Sequence, residues 1–383
     1  MKLEQDVCNG SKRKQIYKCD WLWQTGYYAK TKRKGGRGMR KGWEYKKLGD
    51  LCDIYQPKTL ATEQLVADGK YYVYGANGII GRYNDYNHEQ SEILLTCRGA
   101  TCGTINISQP YSWINGNAMV IHRKSEDLSF DFLKYLMLSL DYSLIITGAA
   151  QPQITRQKIA PIIVKFPSLS VQQYIVSELD KINELIRLKK EQLKDYDNLA
   201  QSIFYEMFGD PVVNEKGWEV KKFADLYKLK SGDSLSTKNF VEGEIPVYGG
   251  NGISGYHNDF NMDGDFIIIG RVGVYCGNVR EVHGKFWLTD NAFQLFYNRE
   301  IQYPCFIHYL LEILDLHKYA NAAAQPVISN LTLKDVEIII PPLSLQQLFA
   351  QRIELIEKQK EEVQRTIKDL ETLLASRMQY WFD

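Results

Sequence analysis

The chain has 383 residues, 44% hydrophobic and 24% charged, with a formal net charge of +1 at pH 7, and this length predicts two globular units joined by a connector. Its seven cysteines include no C-x-x-C pair, which excludes the usual zinc-site and disulfide-framework spacings and predicts free thiols. No apolar run approaches the roughly 18 residues that span a bilayer, and the N-terminus lacks a signal-peptide core, so we expect a cytoplasmic protein with no membrane partner.

Residues 1–41 form a strongly basic arm, in which Lys and Arg cluster at Lys12–Lys14 and Lys30–Arg40. Lys and Arg displace counterions from nucleic acid, so one interpretation is an arm that touches DNA phosphates. A disordered extension explains the same composition, and both interpretations stay open. The arm has no counterpart later in the chain.

From Gly42 onward the sequence repeats with a period of about 174 residues, which is too long for a solenoid unit. The chain is therefore a duplicated domain. The motif at Ile93–Gly103 recurs at Phe266–Gly277 with one extra residue in the second copy. The repeated motifs are GWEYKKLGDL (Gly42–Leu51) with GWEVKKFADL (Gly217–Leu226), YYVYGANGIIGRYNDYN (Tyr71–Asn87) with IPVYGGNGISGYHNDFN (Ile245–Asn261), ILLTCRGATCG (Ile93–Gly103) with FIIIGRVGVYCG (Phe266–Gly277), Asn117-Ala118 with Asn291-Ala292, and QPQI (Gln151–Ile154) with QPVI (Gln325–Ile328).

Strand, turn and helix signals alternate within each copy, which predicts mixed α/β structure. The dipeptides Asn77-Gly78 and Asn251-Gly252 predict hairpin turns, because both residue types tolerate positive φ. The predicted buried strands are Ile93–Leu95 and Phe266–Ile269, and the predicted short helices are Phe130–Leu140 and Pro304–Leu316. After QPxI, each copy has a predicted short strand before its last segment, Ile162–Val164 in the first copy and Val336–Ile340 in the second.

Each copy ends in a long amphipathic segment, residues 168–208 and 342–382. Apolar residues recur there at alternating spacings of three and four, a heptad pattern that predicts two helices packed against each other. Ser170 with Gln173, and Ser344 with Gln347, fit the S-x-x-Q capping box. Lys360 interrupts one seam position. The predicted seam residues are Leu179, Ile182, Ile186, Leu193, Tyr196, Ala200, Ile203 and Met207, and then Ile353, Ile356, Val363, Ile367, Leu370, Leu374, Met378 and Trp381.

Sequence signatures of catalysis are missing. The chain has no G-x-x-x-x-G-K-[ST] phosphate loop, no G-x-G-x-x-G opening a βαβ unit, no G-x-S-x-G elbow and no Asn-Pro-Pro-Tyr-like tetrapeptide. Its six histidines show no metal-ligand spacing. The clearest repeated charged position pairs Arg98 with Arg271, and a lone arginine suits binding better than proton transfer. We therefore predict no catalytic residue, no metal and no cofactor.

The order of globular unit, long helix, globular unit and long helix, with its GWExKK openings, VYGxNG turns, R-G-x-x-C-G stretches and QPxI followed by LSxQQ, resembles the specificity subunit of a type I restriction-modification system. The resemblance covers residues 42–383. It implies two target recognition domains, each reading one half of a bipartite double-stranded DNA site, and two antiparallel helices that form a coiled coil and dock two modification (methyltransferase) subunits. Methylation and ATP-driven cleavage would belong to modification and restriction subunits. The implied divisions are an arm (1–41), recognition domain 1 (42–167), helical spacer 1 (168–210), recognition domain 2 (211–341) and helical spacer 2 (342–383).

Helix length agrees with this resemblance. A helix of about 30 residues spans about 45 Å, and half-sites about one DNA turn, roughly 34 Å, apart lie on one face of the duplex. Two recognition units on such a spacer therefore reach both major grooves from one side.

Positions that differ between the copies are candidates for reading bases, and shared positions are candidates for fold or phosphate contacts. Because the copies differ, we predict an asymmetric site. For every candidate an ordinary surface role is the competing interpretation, and an arginine can also be structural, paired with a carboxylate under the sheet. The DNA-binding candidates are Lys58, Thr59, Arg82, Tyr83, Arg98, Lys238, Asn239, Tyr256, His257 and Arg271.

Two other functions compete with DNA recognition. A modification enzyme with an unrecognised catalytic centre predicts cofactor binding by the isolated chain. A structural dimerisation module predicts heptads that pair between chains, and no sequence preference on DNA. The aromatic residues at the two helix ends either cap the recognition unit of the other half or face a partner subunit, and the sequence does not decide between these.

Overall fold

The computed structural model describes residues 42–148, 151–321 and 325–383. The predicted basic arm lies outside these residues, so both interpretations of it stay predictions. The described chain divides into two units: residues up to Arg187 together with Lys368–Asp383 form unit 1, and Leu188–Ile367 form unit 2. This division runs through the long helices, and the predicted domain boundaries at residues 167, 210 and 341 stay predictions.

The described part of unit 1 contains three small β-sheets. Its elements in chain order are β1 (Glu44–Lys47), α1 (Leu48–Leu51), β2 (Cys52–Tyr55), β3 (Tyr71–Gly75), β4 (Gly78–Tyr83), β5 (Ile93–Thr96), β6 (Ile105–Ile107), β7 (Trp113–Ile114), β8 (Ala118–Arg123), α2 (Phe130–Ser139), α3 (Arg156–Ile159), β9 (Ile163–Phe166) and the first part of α4 (Leu169–Phe208). The sheets have the strand orders β1-β9, β2-β8-β5-β6 and β4-β3-β7. The predicted strand at Ile93 is confirmed, and β5 is buried at every position.

Unit 2 repeats this plan with a two-stranded sheet, β10-β17, and a six-stranded sheet, β11-β16-β14-β15-β12-β13. Its elements are β10 (Glu219–Lys222), α5 (Phe223–Leu226), β11 (Lys228–Ser231), β12 (Ile245–Gly249), β13 (Gly252–His257), β14 (Met262–Gly270), β15 (Val279–Leu288), β16 (Ala292–Phe296), α6 (Pro304–Ile313), α7 (Asn330–Leu333), β17 (Glu337–Ile340) and the first part of α8 (Leu343–Phe382), whose last residues belong to unit 1. The mixed α/β class is confirmed.

Hairpins form where the Asn-Gly dipeptides predicted them. Strands β3 and β4, and β12 and β13, pair antiparallel across two-residue loops. Gly78 and Gly252 take φ values of 100° and 96°, the left-handed region that glycine enters without steric cost.

One strand is continuous in unit 2 and interrupted in unit 1. The residues that correspond to β15 form β6 and β7, which lie in different sheets. Between them, Pro110 has no backbone N–H to donate, and Tyr111 has a φ of 52°. The strand ladder therefore stops at this point in unit 1.

The two long helices begin one residue before the predicted capping serines. Helix α4 begins at Leu169 and α8 at Leu343, so Ser170 and Ser344 lie inside the first turn. An N-cap residue has to precede the first helical residue. The predicted capping boxes are therefore wrong.

A buried glutamine anchors the start of each long helix. The Gln172 amide donates to the carbonyl oxygens of Pro167 and Asp127, both at 2.9 Å, and accepts from the Ser129 backbone N–H at 2.8 Å. Gln346 makes the same three kinds of bond in unit 2. Both side chains are fully buried, so each ties the start of a long helix to the segment before the short helix α2 or α6.

The long helices run antiparallel. In unit 1 the Arg377 guanidinium and the Trp381 indole N–H of α8 donate to the carboxylate of Glu178 in α4. In unit 2 the Lys360 ammonium of α8 lies 2.9 Å from the carboxylate of Asp197 in α4. Residue numbers thus fall along one helix as they rise along the other. All predicted seam residues are buried or half-buried, which confirms the predicted packing.

The aromatic helix ends cap the two units. Phe208, at the end of α4, packs in unit 2 with ring centroids 4.8 Å from Phe306 and 5.4 Å from Phe349. Phe382, at the end of α8, packs in unit 1 at 5.5 Å from Phe132. The sequence left open whether the helix ends cap the recognition unit of the other half or face a partner subunit. Phe208 and Phe382 cap a unit.

The five described cysteines are free, as predicted, and Cys8 and Cys19 lie outside the described residues. Within the described ranges, no helix is long and apolar enough to cross a membrane.

Candidate nucleic-acid interface

Four segments of unit 1 converge on one edge, here called edge 1. The Thr101 hydroxyl donates to the Asn77 side chain, which joins a β-turn to the hairpin turn. The Gly99 N–H donates to the Pro152 carbonyl at 3.0 Å. Edge 1 therefore collects four loops that are distant in sequence: the hairpin turn at residues 76–77, the β-turn Gly99–Cys102, the turn Gly116-Asn117, and Gln151–Ile154.

Unit 2 has the corresponding edge 2. The Arg271 N–H donates to the Asn291 carbonyl, and the Gly273 N–H to the Pro326 carbonyl, both at 2.9 Å. Gly250 approaches the neighbouring loops so closely that a Cβ there would lie 3.0 Å from the carbonyl oxygen of the residue before Gly273. A side chain at this turn would therefore be in tight contact with the neighbouring loop. Edge 2 consists of the hairpin turn at residues 250–251, the β-turn Gly273–Cys276, the turn Asp290-Asn291, and Gln325–Ile328.

Backbone hydrogen bonds align the two edges without a gap. The Ile154 N–H donates to the Cys97 carbonyl in unit 1, and the Ile328 N–H donates to the Arg271 carbonyl in unit 2, both at 3.0 Å. Cys97 therefore corresponds to Arg271, and Arg98 corresponds to the residue after Arg271. The predicted extra residue is absent, and the predicted equivalence of Arg98 and Arg271 is wrong, because side-chain identity was matched one residue out of backbone register.

Arg271 is half-buried and holds neighbouring loops together. Its guanidinium donates to the Ser231 hydroxyl at 3.4 Å and to the Asp290 carbonyl at 3.3 Å, and it lies over the Phe293 ring. Its partners are a hydroxyl and a carbonyl instead of the carboxylate that the structural interpretation expected. Arg98, by contrast, is exposed on edge 1.

The corresponding place in unit 1 uses different side chains for the same connection. The Gln56 amide donates to the Cys97 sulfur at 3.1 Å and to the Gly116 carbonyl at 2.7 Å. Burial raises the pKa of the Cys97 thiol, against the opposing effect of Arg98, so the thiol stays protonated and donates to the Asn117 carbonyl. In unit 1 the connection is thus made by the long Gln56 side chain and the short Cys97 thiol. In unit 2 it is made by the long Arg271 side chain and the short Ser231 hydroxyl.

The two predicted loop pairs lie in different places. Lys58 and Thr59 are exposed, and a Cβ at Gly116 would lie 2.8 Å from the Thr59 hydroxyl, so this pair belongs to edge 1. Lys238 and Asn239 are exposed in the 3-10 helix Thr237–Asn239. The next residue packs on the middle of strand β13, so this pair is not brought to edge 2.

Arg82 and Tyr83 lie at the end of the hairpin opposite the turn. The Arg82 guanidinium donates to the Gly69 carbonyl at 2.9 Å and lies 4.4 Å over the Tyr72 ring. Tyr83 packs edge-on against Trp113. Both side chains therefore brace the hairpin and do not join edge 1.

Tyr256 and His257 occupy the same end of the hairpin in unit 2. Tyr256 is exposed, whereas His257 is only 7% exposed. The His257 Nδ1 accepts from the Val241 N–H at 3.0 Å, and its ring packs against Trp287. His257 thus has little surface to offer a ligand, and DNA contact by any of the ten candidates stays a prediction.

Two polar side chains at the hairpin turns were missed in the sequence. The Asn106 amide donates to the Ala76 carbonyl at 3.3 Å. The Arg280 guanidinium carbon lies 3.2 Å from where a Cβ on Gly252 would be. Asn106 lies in β6 and Arg280 in β15, and only their equivalent positions in the repeat could have marked them. Among the described residues, no group of three or more His, Cys, Asp or Glu could hold a metal ion.

Comparisons with a family model and with individual relatives point to the same family. The family model for the type I restriction modification DNA specificity domain matches residues 40–195 and 215–372. The chain is 29% identical over 192 residues to the specificity subunit of the type I restriction enzyme EcoprrI of Escherichia coli, a match that covers 48% of this chain and 47% of that one. It is 28% identical over 219 residues to a putative type I specificity subunit of Mycoplasma pneumoniae, covering 54% of this chain and 80% of that one. The match thus spans about half the length of the E. coli relative.

Solved structures share the fold. The crystal structure of a type I restriction-modification S subunit from M. genitalium aligns over 90% of this chain and 97% of that one, with a TM-score of 0.55 and 16% identity. A chain from a structural study of complex assembly in the type I restriction-modification system aligns over 90% of this chain and 98% of that one, with a TM-score of 0.57 and 17% identity.

Proposed function

Because this chain belongs to the family of type I restriction modification DNA specificity domains, whose model matches both of its halves, we propose that it is the DNA-reading subunit of a type I restriction-modification complex. Each unit contacts one half of a bipartite site in double-stranded DNA. The chain itself is not catalytic and works in the cytoplasm, where its DNA target lies.

The observation that carries this proposal is the pair of equivalent edges. The backbone bonds that shape edge 1 recur in edge 2, whereas the side chains differ: Arg98 is exposed on the first, and the corresponding Val272 is half-buried on the second. A shared scaffold with different exposed groups suits two half-sites of different sequence, because base edges are read by side chains in the groove. The proposed site is therefore asymmetric.

The long helices are the proposed docking surface for two modification subunits, which in turn recruit restriction subunits. Apolar side chains outside the seam support this, since exposed leucines recur along both helices: Leu185, Leu188, Leu199, Leu355 and Leu373. The heptad seams pair α4 with α8 of the same chain, which disfavours a module that dimerises through its heptads.

The test is sequencing that detects N6-methyladenine in DNA from cells that express the modification subunit with or without this chain. We expect an asymmetric bipartite methylated motif only when this chain is present. Methylation that is unchanged by its loss, with an active modification subunit, would overturn the proposal.

Exchanging residues 42–167 for the same segment of a relative assigns the halves of the motif. We expect one half of the motif to change and the other to stay. A motif that stays the same in both halves would contradict the assignment of half-sites to units.

A further inference from the structure

The tip of the β-turn Gly273–Cys276 on edge 2 is apolar and exposed. Val274 is 80% exposed and Tyr275 is 49% exposed. Turn tips are usually Gly, Pro, Asn, Asp or Ser, which the turn geometry and water favour. A β-branched residue beside an aromatic one is therefore an unusual choice here.

This tip is held rigidly. The Cys276 N–H donates to the Gly273 carbonyl at 3.0 Å and closes the turn, and the Gly277 N–H donates to the Gly270 carbonyl at 2.8 Å. The Cys276 sulfur lies 3.3 Å from the His317 Nδ1. Val274 and its neighbour are thus presented in one preorganised position, which limits the entropy lost when a ligand binds.

Charge around the tip indicates its occupant. Arg280 lies against the hairpin turn at Gly252, and Arg271 precedes the tip by three residues on the same edge. Ile253, the residue after Gly252, adds a third exposed apolar side chain. An apolar tip on an edge that also carries Arg280 fits a DNA groove, where a guanidinium group meets phosphate or guanine and an apolar group meets the thymine methyl.

We propose that the Val274–Tyr275 tip reads thymine C5-methyl groups in the major groove of the half-site bound by unit 2. This inference rests on the proposed function and adds the chemistry of one half-site. Unit 1 carries Ala100-Thr101 at the same turn, and its Thr101 hydroxyl is bound to Asn77. Unit 1 therefore presents a smaller apolar surface at this turn than unit 2.

The experiment uses the full chain with its modification subunits and a duplex that carries the methylated motif found in vivo. Each dT of the half-site assigned to unit 2 is replaced in turn by deoxyuridine, which lacks only the methyl group. Affinity is measured by fluorescence anisotropy. Removing a contacted methyl should weaken binding about three- to fourfold, since burying one such carbon contributes about 0.8 kcal/mol.

The double variant Val274→Ser, Tyr275→Ser removes both apolar side chains and introduces serine, a residue type that is common in turns. It should bind the dT duplex more weakly and lose the difference between dT and deoxyuridine. Val213→Ser is the matched control, because Val213 is 70% exposed in the same unit but lies in the loop after α4. This control should keep the wild-type difference.

A motif with no thymine effect at any position of that half-site, or a double variant that keeps the effect, would overturn this inference alone. Loss of modification-subunit binding by the double variant, with the thymine effect intact, would assign the tip to a protein contact and also overturn it. Absence of any motif with the wild-type chain would overturn the proposed function and this inference together.

Discussion

The carboxylate of Glu178 in α4 is bound by Arg377 from the last turns of α8, with a 3.0 Å bond from Arg377 Nη2 to Glu178 Oε2. The Trp381 indole donates to the same Oε2 at 3.1 Å. These contacts join residues about 200 positions apart in sequence, so unit 1 is completed only when the end of the chain folds back onto it.

Replacing Glu178 with Gln should lower the free energy of unfolding by about 2 kcal/mol at pH 7, because hydrogen bonds to charged groups contribute more than neutral ones. The hydrogen bond from Arg377 lowers the pKa of Glu178. The stabilisation is therefore complete above the ordinary glutamate pKa of about 4.3 and is lost as pH falls through the lowered pKa. Urea unfolding of both proteins at several pH values measures this.

The control for this prediction is Glu184→Gln, since Glu184 forms an exposed pair with Arg187 on the same helix. Exposed pairs contribute little, so this variant should unfold like the wild type. A Glu178→Gln deficit that does not shrink towards low pH would contradict the assigned role.

Gln172→Ala should lower the free energy of unfolding by about 3 kcal/mol, because it leaves a buried backbone donor and two carbonyls without partners. Gln346→Ala should do the same in unit 2. The adjacent Gln173 and Gln347 are exposed, and their alanine variants should stay within about 0.5 kcal/mol of wild type. Denaturant unfolding measures these free energies. Equal losses for the buried and the adjacent exposed glutamine would contradict a stabilising role of the buried hydrogen bonds.

The side-chain arrangement of unit 1 at its edge can be transferred to unit 2. Arg271→Cys removes the guanidinium bonds of unit 2 and should destabilise it. Adding Ser231→Gln rebuilds the arrangement of Gln56 and Cys97, and should recover about 1 kcal/mol relative to Arg271→Cys alone. Thermal unfolding of the wild type, both single variants and the double variant measures this coupling, and strictly additive effects would refute it.

Arg98→Ala should weaken DNA binding without lowering the unfolding temperature, because Arg98 is exposed. If it neutralises one phosphate, the slope of log affinity against log salt concentration should fall in magnitude by about 1. Lys238→Ala removes an equal charge away from edge 2 and should leave the slope unchanged. An Arg98→Ala slope equal to that of Lys238→Ala would remove Arg98 from the interface.

Cys52 and Cys305 should resist alkylation in the folded protein. Burial raises the pKa of each thiol to about 12, so only about one ten-thousandth of either is reactive thiolate at pH 8. Mass spectrometry after iodoacetamide treatment should find both unmodified in buffer and both modified in guanidinium chloride. Labelling of Cys52 in buffer would contradict its burial.

Features that depend on neighbouring residues were predictable. The heptad spacing located both long helices to within a residue, and the Asn-Gly dipeptides located both hairpin turns, because helix periodicity and positive φ are local properties. The choice between Gln172 and Gln173 was not predictable. The two are adjacent and chemically identical, and only the approach of the segment before α2 buries the first of them.

The candidate site was predicted only in part. Sequence comparison of the two copies named Arg98, Arg271 and the loop pair Lys58-Thr59 as candidates, and the structure places them at the edges. The comparison aligned the two arginines one residue out of register, and it named His257, which is almost fully buried. By itself the sequence determined the duplication, the long helices and the turns, since periodicity and turn chemistry act within a few residues. The tertiary structure alone decided the register of the edges, the unit that each helix end completes and the side chains left exposed, because hydrogen bonds between distant segments set those relations.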